Sequence, residues 1–167
     1  GVPFYLRTGK HLADRRTEIA IRFKKPPAAP FDDLEGENPR PNWLVVRIQP
    51  DEGISLQFEI KRPGPAMELA AVKMDFHYQE WFPPEPNVGY ETLLYDVMIG
   101  DPTLFMRADT IEQAWRIVQP ALDQWARDHD GIPTYPSGGE GPLEADALIS
   151  RSGRHWRQIG ETSEEDR

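Results

Sequence analysis

Short runs of alternating apolar and polar residues dominate the first half of the chain. Thr17-Glu18-Ile19-Ala20-Ile21-Arg22-Phe23 alternates with a period of two, as do Ile54–Lys61 over eight residues and Ala71–Tyr78. Trp43–Gln49 is rich in β-branched residues and more continuously apolar at its centre, and Phe4-Tyr5-Leu6-Arg7 has the same strand chemistry. Pro50-Asp51-Glu52-Gly53 separates two of these runs with hairpin-turn residues. Period-two alternation predicts a sheet with one buried and one polar face, and therefore mainly antiparallel pairing.

Beyond residue 86 the period lengthens. Tyr90, Leu93, Leu94 and Val97 recur at helical spacing. So do Ile111, Trp115, Val118, Leu122 and Trp125, behind Asp109 and Glu112 as a capping box. That stripe is expected to be core, with Pro120 kinking the helix. A third helix is expected from Pro142, as its first-turn proline, through Leu148. Strands first and helices afterwards is the α+β order: a mainly antiparallel sheet, with the helices that follow packed on one side.

Composition narrows the class. The 167 residues contain no cysteine, which excludes a disulfide framework, a thiolate-held metal and a thiol nucleophile. No apolar run approaches the ~18 residues of a membrane span, and 28 acidic against 19 basic residues disfavour nucleic acid as a partner. No signal-peptide pattern opens the chain, so an intracellular protein is expected. Seventeen prolines are about twice the usual share of ~5%. Those at 26–41 mark residues 25–42 as a Pro-rich surface loop, and residues 161–167 read as a flexible acidic tail. Gly1-Val2-Pro3 opens without a methionine and is expected to come from inside a longer protein.

The net charge of −9 conceals an asymmetry. Residues 1–25 hold seven cations against Asp14 and Glu18, so they sum to +5 and the remainder to −14. Such a cluster is either a solvated face or an anion site. Read as strand, turn, strand across Phe4–Lys10, His11–Asp14 and Arg15-Arg16, with Gly9 permitting a tight turn, the segment allows Lys10 and Arg15 to meet one anion from two sides. A phosphate suits that pair, Lys as a point charge and Arg as a fork. The four histidines lack metal-ligand spacing, no Gly-x-Ser-x-Gly elbow occurs, and nothing supplies an obvious general base. Ser137–Pro142 is Gly-rich but lacks the spacing of a nucleotide fingerprint.

The decapeptide Gly1-Val2-Pro3-Phe4-Tyr5-Leu6-Arg7-Thr8-Gly9-Lys10 resembles the C-terminal domain of the glucose-6-phosphate dehydrogenase family. Val46-Arg47-Ile48-Gln49-Pro50, Gly89-Tyr90-Glu91, Glu112-Gln113-Ala114-Trp115-Arg116 and Gly141-Pro142 with Glu144-Ala145-Asp146 agree in order and spacing. The resemblance implies that residues 1–167 form part of an α+β C-terminal domain in an enzyme oxidising glucose 6-phosphate to its lactone with NADP. It implies substrate-binding roles for Lys10, Arg15 and Gln49, and no catalytic residue here. The family's dinucleotide-binding domain and its His–Asp base lie outside these residues, so the chain alone is expected to be inactive. The sheet is expected to form a homodimer or homotetramer interface, a pure assembly module being the alternative. Some members carry a second, structural NADP, and Arg7, Arg16 and Arg47, with Asp75 and Trp156, match positions used there. Ala20, Ser55, Gln57 and Glu140 depart from that pattern.

Overall fold

The computed structural model describes residues 1–25, 40–83 and 89–157. Four strands, β1 (Thr17–Arg22), β2 (Trp43–Gln49), β3 (Gly53–Lys61) and β4 (Leu69–His77), precede four helices. These are α1 (Tyr78–Trp81), α2 (Tyr90–Ile99), α3 (Ala108–Arg127) and α4 (Leu143–Ser150). The strands form one antiparallel sheet in the order β1-β2-β3-β4. The α+β reading is therefore correct; alternation located β1, β3 and β4 to within two residues, and β-branched composition located β2. The sheet with the N-terminal segment and α4 is one compact unit, and α2 and α3 belong to a second. Residues 26–39 of the Pro-rich segment and the tail at 161–167 lie outside the described residues.

Register sorts the side chains into two faces, because cross-strand partners share a face and successive residues do not. Ile19, Val46, Ile54 and Phe76 form one row across the sheet, and Ile21, Leu44, Leu56 and Met74 form the next. The opposite face carries Glu18, Arg47, Gly53 and His77, then Ala20, Val45, Ser55 and Asp75. Burial runs against the simple expectation. Val45, Gly53 and Ser55 are buried on the mixed polar face, whereas Ile19 (52%), Ile21 (44%) and Met74 (62%) on the apolar face are exposed. The pattern predicted the alternation but assigned burial to the wrong face.

Four local expectations need correction. Phe4–Arg7 is no strand, and neither are residues 8–16, whose pairing among the described residues is an isolated bridge at Leu12. No capping box opens α3: Arg107 stands at its N-cap, and the Asp109 carboxylate accepts from Arg107 Nε (3.0 Å) and Nη2 (2.6 Å). The helix runs on through Pro120 to Arg127, but its stripe is not core, since Trp115 and Trp125 are more than half exposed. Pro142 is the N-cap of α4 rather than its first helical residue. Gly100 closes α2 at φ 75°, its N–H reaching Asp96 and Val97 carbonyls, as a left-handed glycine stop does.

Candidate functional site

The N-terminal segment is held by tertiary contacts instead of a ladder. Tyr5 and Arg7 both face one neighbour, Trp156. The Tyr5 ring meets the Trp156 indole edge-on at 6.2 Å, and the Arg7 guanidinium lies 5.5 Å from its centre. Trp156 is fixed in turn by donating Nε1–H to the Ala145 carbonyl of α4 (3.0 Å). Tyr5 Oη and Ser152 Oγ share a 2.7 Å hydrogen bond, and Glu140 Oε2 stands 3.7 Å from Arg7 Nη1.

Beyond Arg7 the chain bends at Lys10 and His11, and His11 adopts φ 55°, left-handed for a residue with a side chain. The His11 carbonyl accepts from Gly138 N–H (2.8 Å), and Ala13 N–H donates to the Gly139 carbonyl (3.1 Å). Leu12 and Gly139 thereby form an isolated parallel bridge. The Gly-rich stretch Ser137–Pro142, unremarkable as a sequence motif, is thus the backbone partner of the basic loop.

The expected substrate residues sit around this loop. Lys10 is exposed immediately before His11, and Arg15 is exposed two residues ahead of β1. Gln49 ends β2, exposed and directly across from Thr17, so the sheet places its backbone beside the stretch carrying Arg15. The Gln49–Pro50 peptide bond is cis. The strand–turn–strand geometry expected to carry Lys10 and Arg15 is absent; a clamped irregular loop stands in its place.

The arginines matched to a second dinucleotide are each held by a different carboxylate. Arg7 faces Glu140; Arg16 Nε lies 3.8 Å from Asp14; Arg47 Nη2 lies 3.5 Å from Asp75 and 3.3 Å from the Phe76 carbonyl it donates to. Lys73 Nζ adds a 2.9 Å contact to Asp75. The carboxylate beside each arginine offsets the positive charge that a nucleotide phosphate would need there. Sequence reasoning missed Glu18, whose carboxylate accepts from Arg157 Nη1 at 2.7 Å and ties the C-terminal segment to β1. Its only signal was a carboxylate inside an otherwise apolar–basic strand. Among the described residues no group of three His, Asp or Glu side chains is placed to hold a metal, and no helix is long and apolar enough to cross a membrane.

Residues 1–157 match the sequence model of the family described as "Glucose-6-phosphate dehydrogenase, C-terminal domain". The chain belongs to that family. It is 47% identical over 157 residues to the glucose-6-phosphate 1-dehydrogenase of Mycolicibacterium smegmatis, covering 93% of this chain and 31% of that protein. The enzyme of the same name from Chlamydia pneumoniae is 47% identical over 162 residues, covering 95% and 32%. Among solved structures, the Mycobacterium avium glucose-6-phosphate 1-dehydrogenase superposes with a TM-score of 0.64 at 34% identity, over 92% of this chain and 31% of that one. A glucose-6-phosphate dehydrogenase in complex with glucose 6-phosphate gives 0.68 at 31% identity, over 90% and 30%. The chain thus spans about a third of the length of the relatives it matches.

Proposed function

We propose that this chain supplies the sugar-phosphate-holding part of a glucose-6-phosphate dehydrogenase, which oxidises glucose 6-phosphate to the lactone and passes hydride to NADP. Membership of the C-terminal-domain family is the observation that carries this reading, and a relative seen with glucose 6-phosphate supports the substrate. Lys10 and Arg15 hold the phosphate, whose charge near neutral pH is close to two, by charge-assisted hydrogen bonds. Gln49 offers an amide to the sugar hydroxyls. The coenzyme and the general base belong to segments outside these residues, so this chain alone does not turn over. The protein works in the cytoplasm, and no nucleic acid or membrane takes part.

Steady-state rates of the full-length protein carrying Lys10→Ala or Arg15→Ala test the assignment. One charge-assisted hydrogen bond contributes about 1.5–3 kcal/mol, so KM for glucose 6-phosphate should rise about 10- to 100-fold. Free glucose, which has no phosphate to hold, should be used as before. An unchanged KM for the phosphorylated sugar in both variants would refute the roles given to Lys10 and Arg15.

The exposed apolar rows of the sheet favour a second role in assembly. A contiguous aliphatic face on an antiparallel sheet is the chemistry of a subunit interface. In this reading two copies pair through the sheet into a homodimer, or a homotetramer built from such dimers.

A further inference from the structure

We propose that the turn Pro136–Glu140 is the positioning device for the phosphate-binding loop, with Gly138 as its key residue. The inference rests on the proposed sugar-phosphate role and adds what sets the loop's shape. Three points of the loop, Arg7, His11 and Ala13, are held by Glu140, Gly138 and Gly139 respectively. Lys10 lies between the first two of these points and directly precedes the second. The turn is closed on itself, since Gly139 N–H reaches the Pro136 carbonyl at 3.0 Å. It is built from residues that tolerate its geometry. Gly138 sits at φ 84°, and a Cβ on Gly139 would stand 3.0 Å from the Pro136 carbonyl oxygen.

The loop needs such a device because it has no ladder of its own. Its residues are mostly exposed, and His11 holds a left-handed conformation that a free chain rarely visits. The Gly138 N–H on the His11 carbonyl stabilises that conformation and so fixes where Lys10 starts. Without it the substrate would have to order the loop on binding, at about 1–2 kcal/mol per residue. That is a binding penalty, and it falls on the phosphate contact rather than on the chemical step. An alanine at φ 84° turns the 138 amide away from His11, whereas asparagine tolerates the left-handed region and keeps the amide in place.

Full-length protein with Gly138→Ala and with Gly138→Asn is assayed with glucose 6-phosphate and with glucose. Gly138→Ala should raise KM for glucose 6-phosphate about tenfold, with kcat and the use of glucose unchanged, and Gly138→Asn should stay close to wild type. In the unmutated protein, binding that requires the closed clamp must also stabilise it. Saturating glucose 6-phosphate should therefore slow amide hydrogen exchange at Gly138 and Ala13, a readout that needs no variant to fold. A folded Gly138→Ala protein with unchanged KM, a parallel rise for both sugars, or exchange indifferent to the substrate would overturn the positioning role. Wild-type protein that fails to oxidise glucose 6-phosphate would instead bring down the proposed function.

Discussion

Two ion pairs of nearly equal length show why burial, not distance, ranks the charged residues. Glu18 and Arg157 meet at 2.7 Å with side chains 11% and 21% exposed, whereas Arg107 and Asp109 meet at 2.6 Å with side chains 81% and 65% exposed. Water screens the second pair and returns most of its energy, leaving well under ~1 kcal/mol. Removing one partner of the first leaves a guanidinium charge short of its counter-ion in a largely covered position. Glu18→Gln should lower the unfolding free energy by about 2 kcal/mol, and Asp109→Asn by no more than about 0.5 kcal/mol. Urea unfolding of both variants reads this directly, and equal losses would contradict the ranking. Asp101 provides a pH-dependent counterpart. Its carboxylate accepts from the Thr103 hydroxyl (2.6 Å) and then from the Thr103 N–H (2.9 Å), and these bonds hold its pKa below the ordinary carboxylate value. A lowered folded pKa means that the contribution is complete above the ordinary value and is lost as pH falls through the lowered one. Carboxyl NMR titration should show Thr103→Val moving the Asp101 midpoint upward.

At the scale of elements, the β2–β3–β4 meander depends on a missing side chain. Gly53 stands between Arg47 and His77 in the cross-strand row, and a Cβ there would collide with the Phe76 carbonyl oxygen and stand 2.7 Å from Arg47 Nη2. The space a side chain would fill is taken by a largely covered guanidinium that donates to that same carbonyl. Gly53→Ala should therefore cost about 1–3 kcal/mol of stability through overpacking, and thermal unfolding of the variant measures it. The sequence made the strands legible because alternation is a local property. The role of Gly53 was not legible, since it depends on Arg47 and Phe76 arriving from two neighbouring strands. Residues 4–7 show the same boundary. Their strand chemistry pointed to a ladder, but the partner of Tyr5 and Arg7 is Trp156, some 150 positions away, and not a strand. The basic residues of the candidate site were visible as a charge cluster. The turn that holds their loop was not, because backbone N–H and carbonyl groups leave no trace in a residue pattern beyond the glycines that permit them.

On the scale of the whole molecule, the sheet has its faces the unexpected way round, and this bears on assembly. On the mixed polar face the charges are paired, Glu18 with Arg157 of the C-terminal segment and Arg47 and Lys73 with Asp75. The aliphatic face is left with Ile19, Ile21, Ile54 and Met74 exposed in adjoining rows. Leaving such a face in water forgoes roughly 25 cal/mol for every Å² that a partner would cover. A twofold partner suits the geometry, because a single aliphatic patch can meet its own copy with no complementary surface to evolve. The charged loop and the aliphatic face then answer to different measurements. Met74→Glu places one carboxylate per copy into the apolar rows, so two like charges approach across a twofold interface and must also shed water. The pairing should weaken at least ~100-fold, visible as a shift toward monomer in sedimentation equilibrium, while KM for glucose 6-phosphate stays unchanged. Lys10→Ala should do the reverse, raising KM and leaving the association state alone. If Met74→Glu left the protein fully associated, the aliphatic face would not be the contact, and the sheet edges at β1 and β4 would be the surfaces to test next.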